Sequence, residues 1–402
     1  MKTRNLFGTV LLLLAASAFV MISCSKEPVS DVNAPGDFQP VNSLKSGNNG
    51  AASYIVILNE GFEAAGELAG KQDYDQRKVV MNGYLNRFLN GKGVGNDQVD
   101  HTYTTVFMGF AARLSANQLE KLRQDPMVKS IEPDGLIELG KPPVSVVTQP
   151  AEVMPWGITR VGGGVTYSGT AKVWIIDTGV DFTHPDLNVN TLLSKSFVLR
   201  IKTANDDNGH GSHVAGIIAA KDNTIGVVGV AAGASVVAVK VLDKLGNGTI
   251  SAVLAGIDYV TRSASSGDVV NMSLGGGVNT TLDAAVLAMS ANVKVALAAG
   301  NESDDANNHS PARVNGANIY TVSAMGTGDT WASFSNFGNP PIDYCAPGVS
   351  IYSCYKGGGY ATMSGTSMAA PHVAGLLLLG AITTDKYVIG DPDGKADPIA
   401  HK

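Results

Sequence analysis

Four polar residues stand among small and apolar neighbours in a pattern that suits nucleophilic chemistry: Asp177, His210, Asn301 and Ser367. Ser367 lies in Gly365-Thr366-Ser367-Met368-Ala369-Ala370-Pro371-His372, just ahead of the apolar run 373–379. A serine hydroxyl is a weak nucleophile until it is exposed, fixed in direction and paired with a base. A helix start would add a field that favours developing negative charge. The octapeptide alone also fits a helix cap with proline in its first turn. Its partners distinguish the two readings. His210, in Asp206-Asp207-Asn208-Gly209-His210-Gly211-Ser212-His213, offers a base, with the two acids near it able to raise its pKa or to shape a cleft. Asp177 offers a helix cap, a metal ligand or an orienter for the imidazole, and Asn301 either satisfies a turn or donates to an oxyanion. Two histidines three apart also invite a zinc reading, but H-E-x-x-H and an adjacent glutamate are both missing. The order Asp, His, Ser differs from the Ser, acid, His order of α/β-hydrolases, and Gly365-x-Ser367-x-Ala369 lacks the second glycine of their elbow.

These residues need a scaffold that gathers them. From about residue 156, short apolar runs at 173–176, 236–242, 269–273, 293–298 and 319–324 alternate with helical patterns at 213–220, 250–263, 282–290 and 367–379. Continuous apolar strands between helices predict an α/β fold, a three-layer doubly wound sandwich with a mostly parallel central sheet. Functional groups in such folds gather beyond the carboxyl ends of the strands, where Asp177 and Asn301 fall. The preceding stretch, 53–139, reads β-α-β-β-α-β and predicts a small α+β unit of ferredoxin-like type. Ser115 and Gln118 form a capping-box pattern there, Asp125-Pro126 stops the helix, and His101 is expected at the surface. Residues 140–155, with Pro142, Pro143, Pro150 and Pro155, read as a linker.

The first 23 residues carry Lys2 and Arg4 ahead of an apolar stretch and read as an export signal. Ser23-Cys24 resembles a bacterial lipoprotein cleavage site, so Cys24 is expected to carry lipid and anchor the chain to a membrane, with 24–52 as a flexible tether. The chain has three cysteines; with Cys24 lipidated, Cys345 and Cys354 remain as a candidate disulfide. An apolar fraction of 44% is ample for a core, while a net charge of −6 and no basic stripe argue against nucleic acid.

Asp177-Thr178-Gly179, His210-Gly211-Ser212-His213-Val214-Ala215-Gly216 and Gly365-Thr366-Ser367-Met368-Ala369-Ala370-Pro371-His372-Val373-Ala374-Gly375 resemble the three signature blocks of subtilisin-like serine proteases. Ala299-Gly300-Asn301 resembles their oxyanion block, and the order Asp, His, Ser is theirs. The resemblance covers about 152–380. It is nearest the proteinase K group through Val241-Leu242-Asp243, Gly246-Asn247-Gly248 and Ala255-Gly256, while 53–139 resembles the family's inhibitory propeptide.

The resemblance implies a zymogen of a serine endopeptidase with broad specificity, acting through an acyl-enzyme without a catalytic cofactor. Ser367 would attack, His210 would move the proton, Asp177 would orient His210, and Asn301 would help hold the oxyanion. Ser273, Leu274 and Gly275 on one side, with Gly246 and Gly248 on the other, would bind an extended peptide by β-augmentation. Ala299 and Gly300 would line a roomy apolar primary pocket. Asp343 falls where that group has a structural calcium ligand, with carbonyls to come from 311–318. His213 and His372 would serve packing or local hydrogen bonds. Self-cleavage is expected between Leu139 and Pro155, and the mature enzyme is expected to be a monomer. After residue 379 the chain is shorter than the family usually is, and Asp391, Asp393 and Asp397 read as a solvated tail. Two rival readings are a catalytically inactive lipoprotein that binds peptides in the same cleft and an esterase or amidase using the same triad.

Overall fold

In a computed structural model of the chain, residues 51–139 and 145–402 are described. The expected export signal, the lipid at Cys24, most of the tether and the prolines at 142 and 143 lie outside them. No helix among the described residues is long and apolar enough to cross a membrane.

The N-terminal unit follows the predicted order. Its strands are β1 (Ala52–Leu58), β2 (Val99–Tyr103), β3 (Gly109–Leu114) and β4 (Val128–Pro133), and its principal helices are α1 (Tyr74–Asn90) and α2 (Ala116–Arg123). The sheet order is β2-β3-β1-β4, and all pairs are antiparallel. Ser115 accepts from the Gln118 N–H while the Gln118 side chain accepts from the Ser115 N–H, closing the reciprocal cap. One face of the sheet packs on the unit's own helices, through Val56, Phe110, Met81, Leu85 and Leu122. Ile55, Ala111 and Tyr103 turn the other way and join a core of the larger domain. His101 is buried on β2 rather than at the surface, because that second face is covered too.

The chain then supplies two short strands, β5 (Leu136–Glu138) and β6 (Val146–Thr148). The larger domain is built on β7 (Lys172–Asp177), α3 (His210–Ala219), β8 (Ser235–Lys240), β9 (Asn247–Thr249), α4 (Ile250–Ser263), β10 (Val269–Met272), α5 (Thr280–Ser290), β11 (Lys294–Ala298), β12 (Ile319–Gly326), β13 (Ile342–Pro347), β14 (Ile351–Tyr355), β15 (Gly359–Met363), α6 (Thr366–Leu379), β16 (Thr383–Tyr387) and β17 (Pro398–His401). Inward from a two-residue edge strand, Lys195–Ser196, the central sheet runs β8-β7-β10-β11-β12-β13-β17-β16. Every pair from β8 to β17 is parallel, and β16 closes antiparallel.

Strand alternation sorts the side chains into two cores. Val173, Ile175, Ala238, Ala296 and Ala298 face α3 and α6. Trp174, Ile176, Val239, Val295 and Leu297 face α4 and α5. This is the predicted three-layer arrangement, with each face of the sheet covered by helices. Helix α6 is buried almost all round, which explains why it is apolar on every side. The tail after α6 is part of the sheet rather than a solvated appendage. Asp397 is buried and accepts from Ser323 Oγ at 2.6 Å and Asn339 Nδ2 at 2.9 Å.

Candidate active site

Asp177 ends β7 at the carboxyl edge of the sheet. Its Oδ1 accepts from the Thr178 N–H at 2.6 Å, and its two oxygens lie 2.8 and 2.9 Å from His210 Nδ1. His210 is the first residue of α3. Gly209 before it has φ +114°, a left-handed conformation suited to glycine, and a Cβ there would run into the Tyr355 ring. Both constraints aim His210 at Asp177. Asp206 holds the same turn. Its carboxylate accepts from the N–H groups of Asn208, Gly209 and Ser212, each at 2.9 Å, and from Ser212 Oγ and Thr178 Oγ1. Asp207 pairs instead with the fully buried Lys240 at 2.7 Å.

Burial pushes the His210 pKa down, but the Asp177 charge, its hydrogen bond and the Asp206 charge outweigh burial. The net shift is upward. His213 and His372 are occupied in the core. His213 Nε2 meets the carbonyls of Ile351 and Ala361 at 3.1 and 3.0 Å, and His372 Nδ1 meets the Met368 carbonyl at 2.8 Å.

Ser367 is the second residue of α6, whose N-cap is Gly365 without a side-chain cap bond. It is therefore inside the helix and not its cap. Its Oγ donates to the Ser273 carbonyl at 3.2 Å, while Ser273 Oγ donates to the Ser367 carbonyl at 2.9 Å. Asn301 Oδ1 accepts from the Thr366 N–H at 2.8 Å and Thr366 Oγ1 at 3.0 Å. With the carbonyl end of that amide held by α6, its Nδ2 is left for the cleft. His210, Ser273–Gly276, Ala298–Asn301 and Ser367 all line one open pocket.

The end of the N-terminal unit occupies this cleft. Strand β5 pairs antiparallel with β9, with Ile137 opposite Gly248, and the Leu139 N–H donates to the Gly246 carbonyl at 2.9 Å. On the other side a Cβ at Gly276 would lie 3.2 Å from the Ile137 side chain. Glu138 and Leu139 line the same pocket as His210 and Ser367. Past residues 140–144, β6 is committed elsewhere, antiparallel to β15.

Two carboxylates fasten the units together, and neither was singled out from sequence. Asp258 of α4 is fully buried and accepts from the N–H groups of Thr104, Thr105 and Val106 at 2.6 to 3.1 Å. Asp134 accepts from the Ser251 N–H at 2.9 Å and Ser251 Oγ at 2.6 Å, in the first turn of α4. Their partners lie far away in the chain, so no local pattern marks them.

The disulfide reading does not hold. Cys345 and Cys354 are free and buried. Cys345, on β13, packs with Met325, Val388 and Ile399, whereas Cys354, on β14, lies in the core under α3. Burial raises both thiol pKa values.

The expected calcium ligand, Asp343, lies near the start of β13 beside β12. One Asp343 oxygen accepts from the Thr321 N–H at 2.9 Å, and burial pushes that carboxyl to about 6. In the loop that was to supply carbonyls, Pro311, Ala312, Gly316 and Asn318 accept from Val314, Thr321, Ile319 and Val295. No group of three Asp, Glu, His or Cys side chains suited to a metal occurs among the described residues. Among the described residues Asp343 has one protein donor, the Thr321 N–H, and its second oxygen accepts none.

Known proteins share this arrangement. The subtilase family matches residues 168–383, and the peptidase inhibitor I9 family matches 53–140. The chain is 41% identical to alkaline serine protease ver112 of Corniculantispora psalliotae, over 69% of this chain and 72% of that protein. It is 36% identical to an extracellular serine proteinase of a Thermus species, over 90% and 87%. It is 37% identical to proteinase R of Parengyodontium album, over 81% and 78%. A crystal structure of a cold-adapted subtilisin-like serine proteinase superposes with a TM-score of 0.55 at 36% identity, covering 61% of this chain and 97% of that one. With its strand-borne acid, helix-borne base and serine at one sheet edge, and an inhibitor unit ahead of them, this chain belongs to the subtilase family of serine proteases.

Proposed function

We propose that the chain is a zymogen of an exported serine endopeptidase and that it cuts itself between Leu139 and Ser145. The observation that carries this reading is the seating of 136–139 as an antiparallel strand beside His210 and Ser367. Leu139, the last described residue before the proposed cut, lines the pocket that holds the nucleophile. The segment from 146 pairs with β15 and stays with the mature enzyme.

In the proposed mechanism Ser367 Oγ turns from the Ser273 carbonyl to His210 Nε2 as substrate enters. Such hydrogen bonds often tighten only in the substrate complex. Ser367 attacks the carbonyl carbon, and its proton passes to His210. Asp177 stabilises the imidazolium and keeps Nδ1 protonated. Asn301 Nδ2 and the Ser367 N–H hold the oxyanion. His210 then protonates the departing amine, and water, deprotonated by the same histidine, releases the acyl group. Gly246–Gly248 would bind extended substrate through backbone, as they pair with residues 136–139 here, and Ser273–Gly275 would take its other edge. Export would follow from the signal at 1–23, and lipid on Cys24 would anchor the uncut zymogen, from which self-cleavage would free the enzyme.

Purified wild-type protein and Ser367→Ala test the reading together by intact mass. Wild type should lose its N-terminal unit and begin between residues 140 and 145, and the variant should stay uncut there. Equal processing of both would overturn self-cleavage.

A further inference from the structure

A buried cation stands behind Asp177 and His210. Lys240 ends β8 beside Asp177, its register partner on β7. Its side chain is fully buried. An ammonium has three donors and no acceptor, and all three donors are met here. Nζ donates to the Thr178 carbonyl at 2.5 Å, to Asp207 Oδ1 at 2.7 Å and to the Leu242 carbonyl at 2.8 Å. Each acceptor belongs to a different segment of the site. Thr178 follows Asp177, whose own carbonyl accepts from the Val241 and Leu242 N–H groups at 2.9 and 3.2 Å. Asp207 lies in the turn that leads into His210, and Lys356 Nζ donates to its carbonyl at 2.6 Å. Leu242 opens the loop that presents Gly246–Gly248. That loop is closed on itself, because Asp243 Oδ1 accepts from the Leu245 and Asn247 N–H groups at 2.8 and 3.0 Å. Asn208 joins the second segment to the third. Its Nδ2 donates to the Lys244 carbonyl at 3.2 Å, while its Oδ1 accepts from the His210 N–H at 3.1 Å.

We propose that Lys240 is a positioning residue that holds the Asp177–His210 pair and the peptide-binding loop 242–248 in one fixed relation. The proposal rests on the endopeptidase reading. Strands β7 and β8 end at Asp177 and Lys240, so the Thr178 and Leu242 carbonyls lie past the ladder and need another donor. A cation meets them with charge-assisted bonds, about twice as strong as neutral ones. A neutral side chain in its place leaves acceptors unmet in three segments at once. Reaction geometry is sensitive to such a loss, since a shift of about 1 Å can cost about 10²-fold in rate. Substrate bound along Gly246–Gly248 reaches Ser367 in register only while that loop keeps its distance from His210.

The test separates the two arms. Self-cleavage draws its substrate from the chain itself, so its rate reports the Asp177–His210 pair. In the processed enzyme, the ratio of kcat/KM for a long peptide over a dipeptide substrate reports the loop. Lys240→Met should slow self-cleavage about 10- to 100-fold. It should also shrink the long-to-short ratio about 3- to 10-fold, with KM for the long peptide rising. Lys240→Arg restores a cation and should recover part of both. Asp207→Asn leaves Nζ on Thr178 and Leu242, so it should slow self-cleavage and keep the wild-type ratio. Urea melts of each change in the uncut Ser367→Ala protein report folding separately. The proposal is overturned if folded Lys240→Met keeps both wild-type values, or if its losses only track the unfolded fraction. It is also overturned if Asp207→Asn lowers the ratio as Lys240→Met does. Should Lys240→Met not fold, Lys240→Arg and Asp207→Asn carry the comparison: the first must lower the ratio and the second must not. If wild type neither processes itself nor takes a fluorophosphonate label, the endopeptidase reading itself fails.

Discussion

At the scale of residues, the ionic state of His210 governs the proposed chemistry. Its pKa is raised in the folded protein, so the imidazolium persists to higher pH than in a free histidine. The stability gained from pairing that cation with Asp177 is full below about pH 6.5 and is lost as pH rises through the raised value. Activity runs in the opposite sense, because only the neutral form accepts the serine proton. The acid limb of kcat/KM should therefore have its midpoint above about 6.5. Asp206→Asn removes one of the charges that raise the pKa, and its profile should move toward lower pH. A midpoint that stays in place would mean that Asp206 acts through the turn alone. Asn301 allows a second test. Its amide is oriented by Thr366, so Asn301→Ala removes a preset donor, and kcat should fall about 10²- to 10³-fold with KM little changed. A comparable rise in KM would instead mark Asn301 as a ground-state contact.

Among the elements, α4 carries the junction between the inhibitor unit and the enzyme. Asp134 caps its N-terminal turn, Tyr103 Oη donates to the Ser251 carbonyl at 3.2 Å, and Asp258 near its middle gathers three amides of the 104–106 turn. Asp258→Ala leaves those amides buried without an acceptor, at a cost of about 1–3 kcal/mol for an unmet group. After self-cleavage the inhibitor unit should leave at least about 10-fold faster, shortening the lag before activity on casein. An unchanged lag would shift the hold to the β5–β9 pairing. The two strands that flank the proposed cut are pinned to different edges. Once that bond is broken, nothing in the chain forces its ends to stay together.

Across the whole molecule, burial lowers the pKa of four histidines, His101, His184, His213 and His372. Burial takes His101 and His213 to about 3 and His372 to about 4. An unfolded chain binds those protons near pH 6.5, so each histidine costs stability as pH falls from there toward its folded value. Asp343 and Asp397, pushed up to about 6, act in the opposite sense. The histidine part can be isolated in the uncut Ser367→Ala protein. Adding His101→Gln should reduce the slope of unfolding free energy against pH between about 6.5 and 4.5 by up to one proton. An unchanged slope in urea melts would place His101 in water.

Much of this protein was legible without coordinates. The Asp, His, Ser order, the four blocks around those residues, the alternation of apolar runs with helices and the small unit ahead of them are local patterns, and local patterns survive in one dimension. Tertiary structure decided what depends on chain segments meeting from far apart. It separated Cys345 from Cys354, buried His101, and drew the tail and Asp397 into the sheet. It also paired Asp258 with a turn far earlier in the chain. Residue type and spacing state which chemistry is available. Burial, charge and the choice of hydrogen-bond partner are properties of the packed chain, and they determine which of those groups meet.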